Sequence, residues 1–357
     1  MFGVYLHIPF CSSKCDYCAF ATWTDRHHLT EAYLGALTVE IDRAVSAGMA
    51  PADTIFVGGG TPTLVPAELL AEVIATIPRT SGAEVTVECN PDDVTIEMLR
   101  SFVDAGVNRV SIGVQSMSAH VLEALGRTHD RDNVAHAVDA VRAVGLETFN
   151  LDLIYGAAGE TVADWRATVE GALALEPPHV SAYGLTVEAG TALAAQPGRH
   201  PDDDDQADKY EIAESRLSAA GLENYEVSNW AKPGHESRHN FLYWRQQNYR
   251  GFGCASHSHH DGRRWWNVRT PDRYIDLVAA GQSVEASFEQ LDDDQRRIEG
   301  QQLTLRTRDG VDRSAFDDDT LELVGEMIVV HPTDPERVVL TPAGRLMANE
   351  IPVRLRD

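Results

Sequence analysis

Lysine is nearly missing from this chain. It stands only at 14, 209 and 232, and arginine carries the rest of the positive charge. Acidic residues outnumber basic ones 55 to 30, for a formal net charge of −25 at pH 7. Sequence-independent nucleic-acid binding runs on cations that neutralise phosphates, so no nucleic-acid partner is expected. No apolar run approaches 20 residues, which argues against a membrane-spanning helix. No stretch resembling a secretory leader precedes the first apolar run at Val4, and a cytoplasmic location is expected. Cysteine is also scarce: five residues, three of them between 11 and 18, do not make a disulfide framework and suit a reduced compartment. The acidic runs Asp202–Asp205 and Asp292–Asp294 are expected to be solvated loops or helix starts.

What the chain does contain begins at its first apolar run. Val4-Tyr5-Leu6-His7-Ile8 is closed by Pro9, as a strand that releases a loop. The loop carries Cys11, Cys15 and Cys18 at C-x3-C-x2-C spacing. Three thiolates on one short loop are able to converge on one metal centre. A structural zinc site wants a fourth Cys or His close by. Ala19-Phe20 supplies neither, and no second C-x2-C follows. Iron–sulfur clusters are held by cysteine thiolates, usually four. Three would leave one iron open to a small molecule. Cys89 and Cys254 are expected to be bystanders.

The next two-thirds alternate between strand-like and helix-like patterns. Short β-rich runs fall at 4–8, 54–58, 84–88, 108–114, 148–154 and 179–185, with helical patterns between them. Such alternation means βαβ units and a parallel sheet. Six units predict an incomplete (β/α) barrel, with functional residues on the loops that leave the carboxyl ends of the strands. After the second strand stands Gly58-Gly59-Gly60-Thr61-Pro62, where consecutive glycines let backbone approach a ligand. After the third comes Glu88, a carboxylate able to accept from a ribose hydroxyl or an ammonium. The fourth ends at Gln115, with Gly126-Arg127 beyond it. The fifth carries Asp152 between two leucines, a costly placement unless the carboxylate is paired or liganded. A polar residue at successive strand mouths is what one ligand spanning the barrel would require.

The cysteine loop after Tyr-x-His-Ile-Pro-Phe resembles the radical S-adenosylmethionine (SAM) superfamily. There a [4Fe–4S] cluster leaves one iron for the amino and carboxylate groups of SAM. The resemblance extends over nearly the whole chain to the coproporphyrinogen oxidase-like group. It implies Cys11, Cys15 and Cys18 as cluster ligands, and Tyr17 as the aromatic residue between the last two. It also implies Tyr5, Gly59, Gly60, Thr61, Glu88, Gln115, Arg127 and Asp152 as SAM contacts. A contact from the sixth strand is left open, with Gly184 a candidate. The oxidases of the group resemble C-x3-C-x2-C-x-C preceded by an N-terminal extension. Here Phe20 replaces the extra cysteine and Tyr5 stands near the start, which points away from them.

Further along, His239-Asn240-Phe241-Leu242-Tyr243-Trp244 fits the HNxxYW motif of the group's heme chaperones. Heme iron takes an imidazole ligand, which makes His239 a candidate heme ligand. The alternative is that His239, Tyr243 and Trp244 cap the barrel as packing. The segment Tyr249–Ser258 resembles a Gly-rich stretch of the group but departs from it at Cys254, Ala255 and Ser256, where Pro-Gly-Ala is expected. His257, His259 and His260 are expected to form a surface cluster, with His257 the best candidate for a site role. Trp265-Trp266-Asn267 is expected to continue this segment as packing.

The expected architecture is therefore α/β. A partial (β/α)6 radical SAM barrel spans 1–230, an HNxxYW-containing extension spans 231–285, and a small, mainly helical, winged-helix-like domain spans 286–357. The resemblance implies a heme chaperone that binds a [4Fe–4S] cluster, SAM and heme and delivers heme to client hemoproteins, respiratory and membrane-associated ones included. The alternative is a radical SAM enzyme, either a methyltransferase or an oxygen-independent coproporphyrinogen III oxidase, that generates a 5′-deoxyadenosyl radical. The cluster and SAM residues fit both, no catalytic residue is assigned, and monomer and dimer both remain open.

Overall fold

The computed structural model describes residues 1–355. Six parallel strands form its centre: β1 (Phe2–Ile8), β2 (Ala52–Gly59), β3 (Arg79–Cys89), β4 (Arg109–Gln115), β5 (Thr148–Tyr155) and β6 (His179–Gly184). Helices α1 (Thr30–Ser46), α2 (Ala67–Ala75), α3 (Ile96–Asp104), α4 (Ala119–Ala124) with α5 (Arg131–Ala143), and α6 (Val162–Leu173) make the crossovers, and α7 (Asp203–Ala219) follows β6. The sheet then grows at both edges. At one, β7 (Glu223–Glu226) and β8 (Asn229–Ala231) run antiparallel beside β6. At the other, after α8 (Arg238–Trp244), β9 (Asn248–Phe252) pairs in parallel with β1. The antiparallel strands β10 (His257–His260), β11 (Arg263–Asn267) and, after α9 (Pro271–Ala279), β12 (Glu285–Gln290) continue from it. The sheet order is 12-11-10-9-1-2-3-4-5-6-8-7, and it does not close.

The expected half-barrel is present, and the sheet is twice as wide as six units. The added strands are short or antiparallel, and their alternation is interrupted by charged residues, which hid them in the sequence. In the segment after 231, β9 to β12 belong to the main sheet. Beyond it lie α10 (Asp293–Leu305), β13 (Val311–Asp312), α11 (Asp318–Val324), β14 (Ile328–His331), β15 (Asp334–Leu340) and α12 (Pro342–Leu346). Their own core gathers Leu305, Val311, Phe316, Val338, Leu340 and Ile351. The acidic runs prove to be helix starts. Asp202 caps α7 through the Asp205 N–H, and Asp292 forms a capping box with Gln295 on α10, with acidic side chains in each first turn where the helix dipole favours them.

Alternation along the central strands divides the residues between two faces. Val4, Leu6, Ile8, Ile55, Val57, Val87, Ile112 and Leu151 are fully buried in the main apolar core. Their neighbours Tyr5, Phe56, Glu88, Ser111, Asn150, Asp152 and Ser181 contact one another on the other face. A polar residue in mid-strand here marks the inside of the barrel.

One of the three lysines is fully buried. Lys209 on α7 pairs with Glu160 at 3.1 Å and Asp205 at 2.6 Å, and the side chains of Lys209 and Glu160 are both 0% exposed. The Lys209 ammonium also donates to Glu160 O, and Glu160 accepts from the Gly156 N–H at 2.7 Å. This knot ties the loop after β5 to α7. Removing one partner from a buried pair leaves an uncompensated charge. Lys209→Met is expected to lower unfolding free energy by about 3–5 kcal/mol in urea titrations, and adding Glu160→Gln is expected to recover part of the loss.

Candidate functional site

The cysteine loop is pinned at its base. Cys11 N–H donates to Trp23 O at 3.1 Å and Trp23 N–H to Pro9 O at 2.8 Å, so the loop leaves and rejoins β1 at one place. Cys18 N–H donates to Cys15 O at 3.1 Å, folding the last two cysteines into a turn. All three thiols are free and half-buried. Burial raises the Cys11 and Cys18 thiols above their usual range, and the charges of the neighbouring cysteines raise both further. The three thiols are thus within electrostatic reach of one another. Among the described residues no set of three His, Cys, Asp or Glu side chains is already drawn into metal-ligating geometry. The donor set nevertheless fits an iron–sulfur cluster: three thiols, with neither imidazole nor carboxylate as a fourth ligand. Phe20, two residues past Cys18, is 61% exposed.

The glycine loop is sewn onto the cysteine loop. Gly60 N–H donates to Ile8 O at 2.7 Å and Thr61 N–H to Phe10 O at 2.8 Å, extending the β1–β2 pairing past the strand ends. A Cβ at Gly60 would stand 2.6 Å from Phe10 O, 2.8 Å from Ile8 O and 3.0 Å from Cys11 Sγ. Gly59 sits at φ 112°, and a side chain there would strike the His7 imidazole. Thr61 Oγ1 donates to Cys11 Sγ at 3.7 Å. These residues are held against the cluster loop by backbone.

The other expected SAM residues gather around this mouth. Glu88 accepts from the Gly59 N–H at 3.1 Å. Burial first, and the Asp152 charge second, raise its carboxyl to about 7. Asp152 accepts from Ser111 Oγ at 2.7 Å and Asn150 Nδ2 at 2.8 Å, and burial raises it as well. Two carboxylates feel each other across the cavity, and no ion pair among the described residues includes either. Such a pair favours a ligand that brings positive charge, and SAM carries an ammonium and a sulfonium. Gln115 ends β4 in the left-handed region at φ 61°. Arg127 donates to Gly113 O at 3.2 Å and to Asn90 Oδ1, which places it across the ends of β3 and β4. Tyr5 lies deeper, its hydroxyl 3.0 Å from His7 Nδ1 and its ring stacked on Phe56. Tyr17 packs with Val121, Leu125, Ile154 and Leu193 and so anchors the loop. Gly184 ends β6 against the Tyr155 ring.

His239 is elsewhere. Its imidazole is 2.8 Å from Thr54 Oγ1 through Nδ1 and 2.8 Å from the Tyr243 hydroxyl through Nε2. It stacks on Phe56 and is 1% exposed. Five residues of β2, about 16 Å along a strand, separate Thr54 from Gly59. Neither ring nitrogen is free for iron, and burial lowers the imidazole to about 3. The arrangement is that of the packing alternative, with α8 plugging the end of the barrel opposite the cysteines. His259 is also engaged, by Gln247 O and the Gly262 N–H. His257 stacks near Trp266, and His260 is exposed. Ala255 occupies φ 55°, a conformation that the glycine expected there would adopt without strain.

Sequence reasoning missed three features. His7 bridges Tyr5 to Ala21 O at 2.9 Å; its place two residues from Tyr5 was the available signal. The segment after β6 clamps the cysteine loop, with Arg199 donating to Asp16 at 2.7 Å and Leu193 N–H to Asp16 O at 2.9 Å. The third is Glu226, 2% exposed. It ends a chain that runs from Asn150 through Ser181 and Asn229. Burial raises Glu226 to about 7, and it has no ion-pair partner among the described residues.

Two expectations follow. Gly60→Ala forces the loop away from Phe10 O, and reconstituted protein should hold less than half the wild-type iron and sulfide, with an unchanged far-ultraviolet circular dichroism spectrum. Glu226→Gln removes a carboxyl whose folded pKa lies above its unfolded value. That carboxyl costs nothing below about pH 4.5, and its penalty grows until pH 7. The variant should therefore match wild type near pH 4.5 and gain stability on the order of 3 kcal/mol by pH 8, read from urea midpoints.

The relatives of the chain agree with this geometry. Residues 5–172 match the Radical SAM superfamily. Heme chaperone HemW of Mycobacterium tuberculosis is 39% identical over 98% of this chain and 93% of its own. HemW of Bacillus subtilis is 35% identical over 98% of both chains. In three dimensions coproporphyrinogen III oxidase (HemN) from Escherichia coli superimposes with a TM-score of 0.84 over 99% of this chain and 89% of its own, at 21% identity, a likeness of fold. The radical SAM family implies a [4Fe–4S] cluster and SAM, and the residues at the β1 and β2 mouths fit both. With its three-cysteine loop, its glycine-sewn second strand and these relatives over nearly its full length, the chain belongs to the HemW family of radical SAM proteins.

Proposed function

We propose that this protein is a heme chaperone. It holds a [4Fe–4S] cluster through Cys11, Cys15 and Cys18 and SAM across the mouth formed by Gly59, Gly60, Thr61, Glu88, Gln115, Arg127 and Asp152. It binds heme and passes it to client hemoproteins in the cytoplasm or at the membrane. The observation that carries this reading is the similarity, over nearly the whole chain, to proteins described as heme chaperones. Phe20 supports it, standing where an oxidase-like chain would place a further cysteine. No described helix is long and apolar enough to cross a membrane, so a membrane client would be met from outside the bilayer.

A cluster held by Cys11, Cys15 and Cys18 would, when reduced, supply an electron to SAM. The residues of this chain hold SAM, exclude water and keep the Glu88–Asp152 pair facing its positive charge. Heme transfer itself needs no bond to be made or broken in SAM. The test is an anaerobic titration of the reconstituted protein with heme, followed by absorption, beside an assay for 5′-deoxyadenosine under reducing conditions. One heme should bind per chain, with SAM cleavage slow and independent of any porphyrinogen. Absence of saturable heme binding, or brisk porphyrinogen-dependent release of 5′-deoxyadenosine, would replace the chaperone with the enzyme.

A further inference from the structure

The outer face of β9 to β12 carries a feature that the barrel mouth does not use. Arg250 pairs in register with Val4, whose side chain belongs to the helix-covered core, so Arg250 lies outside the barrel. Its guanidinium stands 5.4 Å from the centre of the Trp265 ring and 5.5 Å from that of Phe252. Arg263 stands 4.9 Å from Trp265 and 4.7 Å from Phe288, and Trp265 and Phe288 are directly opposed across β11 and β12. Two cations and two exposed-edge aromatics thus share one surface of a protein with net charge −25. Between them opens a cleft of about 300 Å³, lined by Arg250, His260, Arg263, Trp265, Ser283 and Glu285 among others.

Among the described residues Arg250 makes no ion pair, and its Nε is buried without a hydrogen-bond partner. The carboxylate whose charge it senses, Glu40, is already taken by the Gly253 N–H at 3.1 Å, the Tyr274 hydroxyl at 2.5 Å and Asn267 Nδ2 at 3.2 Å. A half-buried guanidinium in that state favours a carboxylate, which it grips in bidentate fashion. Among the described residues Arg263 makes one ion pair, to Glu285 at 2.6 Å, with 37% and 30% of the two side chains exposed. Exposed pairs of this kind are worth about 0–1 kcal/mol, so Arg263 yields readily to a second carboxylate. His260 is opposite Arg263 in register, its side chain 64% exposed and its nearest charged partner Asp261 at 3.6 Å. It contributes an imidazole to the lining, and unlike His239 and His259 its ring nitrogens are not held inside the fold.

Two guanidiniums, a flat aromatic wall and an open imidazole describe the needs of one ligand: a planar apolar ring with two carboxylates and a metal at its centre. Resting on the chaperone reading above, we infer that this cleft is where heme docks. Arg250 and Arg263 take the propionates, Trp265 lies against the macrocycle, and His260 faces the iron. A cleft of this size is at the lower end for ligand pockets. It admits one edge of the ring and leaves the other in solvent, as a carrier that must surrender its cargo requires. Phe288, 57% exposed, stands beside Trp265 on the neighbouring strand.

The test uses the full-length reconstituted protein, titrated with heme, heme dimethyl ester and metal-free protoporphyrin IX. Arg250→Gln should weaken heme at least 10-fold, and the dimethyl ester should bind wild type as weakly as heme binds that variant. Arg263→Gln, at a side chain 37% exposed, should give a smaller loss with little change in thermal unfolding. His260→Ala should leave protoporphyrin affinity unchanged while shifting the Soret band of bound ferric heme. If wild type binds heme and all three variants match it in affinity and spectrum, the cleft is not the site and the chaperone reading stands. If wild type binds no heme, the chaperone reading fails and takes this assignment with it.

Discussion

Two backbone hydrogen bonds hold the centre of this molecule together, from Gly60 to Ile8 and from Thr61 to Phe10. They exist because Gly60 has no side chain to keep the second strand away from the first. Through them the cysteine loop becomes an extension of the sheet, and the positions of all three thiols follow from the register of β1 against β2. The β2–β3 register sets Glu88 against the Gly59 N–H, and the pairings that follow bring Asp152 on β5 within electrostatic reach of Glu88. A ligand held at one of these points is therefore held at all of them.

The barrel interior is polar along its length and poor in cations. Ser111, Asn150, Ser181 and Asn229 satisfy one another across four strands. Buried polar groups earn their place only when each has a partner, and this chain of amides and hydroxyls supplies them. Its carboxylates are less well served. Glu88 and Glu226 are raised to about 7 because burial penalises their charge, the Asp152 charge adding to it at Glu88 and the Arg306 charge only partly offsetting it at Glu226. The lysine that might have done so is bound to Glu160 behind α7. The imbalance at Glu88 suits a cofactor that brings its own positive charge. Arg250 on the outer face is the reverse case, a cation that makes no ion pair among the described residues, in a different chemical environment and facing a different class of ligand.

Much of the mouth of the barrel was legible because its residues lie on short segments with their own signature. Cys11 to Cys18, Gly58 to Thr61, and the carboxylates that end or punctuate strands each stand at a strand terminus, and topology alone brings strand termini together. His239 shows where that logic stops. Its motif is as clear in the sequence as the cysteine loop, yet it sits on a helix capped by Ser237 and held by Glu84 accepting from the His239 N–H, at the far end of β2. A helix is placed by what packs against it, and Thr54, Phe56 and Glu84 are distant in sequence. Glu226 and Arg250 were illegible for the same reason: each lies on a short edge strand without periodicity, and its meaning comes from neighbours on other strands.

The sequence by itself determined the cysteine spacing of the first loop, the parallel order of the first six strands and the backbone approach at the glycines, since these depend on local spacing and on the absence of a Cβ. Only the tertiary structure decided which end of the barrel each histidine occupies, which charges are buried without a partner, and that the sheet continues past β1 to create a second, outward-facing surface. Those outcomes depend on pairings between residues far apart in the chain, and a pairing is a property of two segments that neither carries alone.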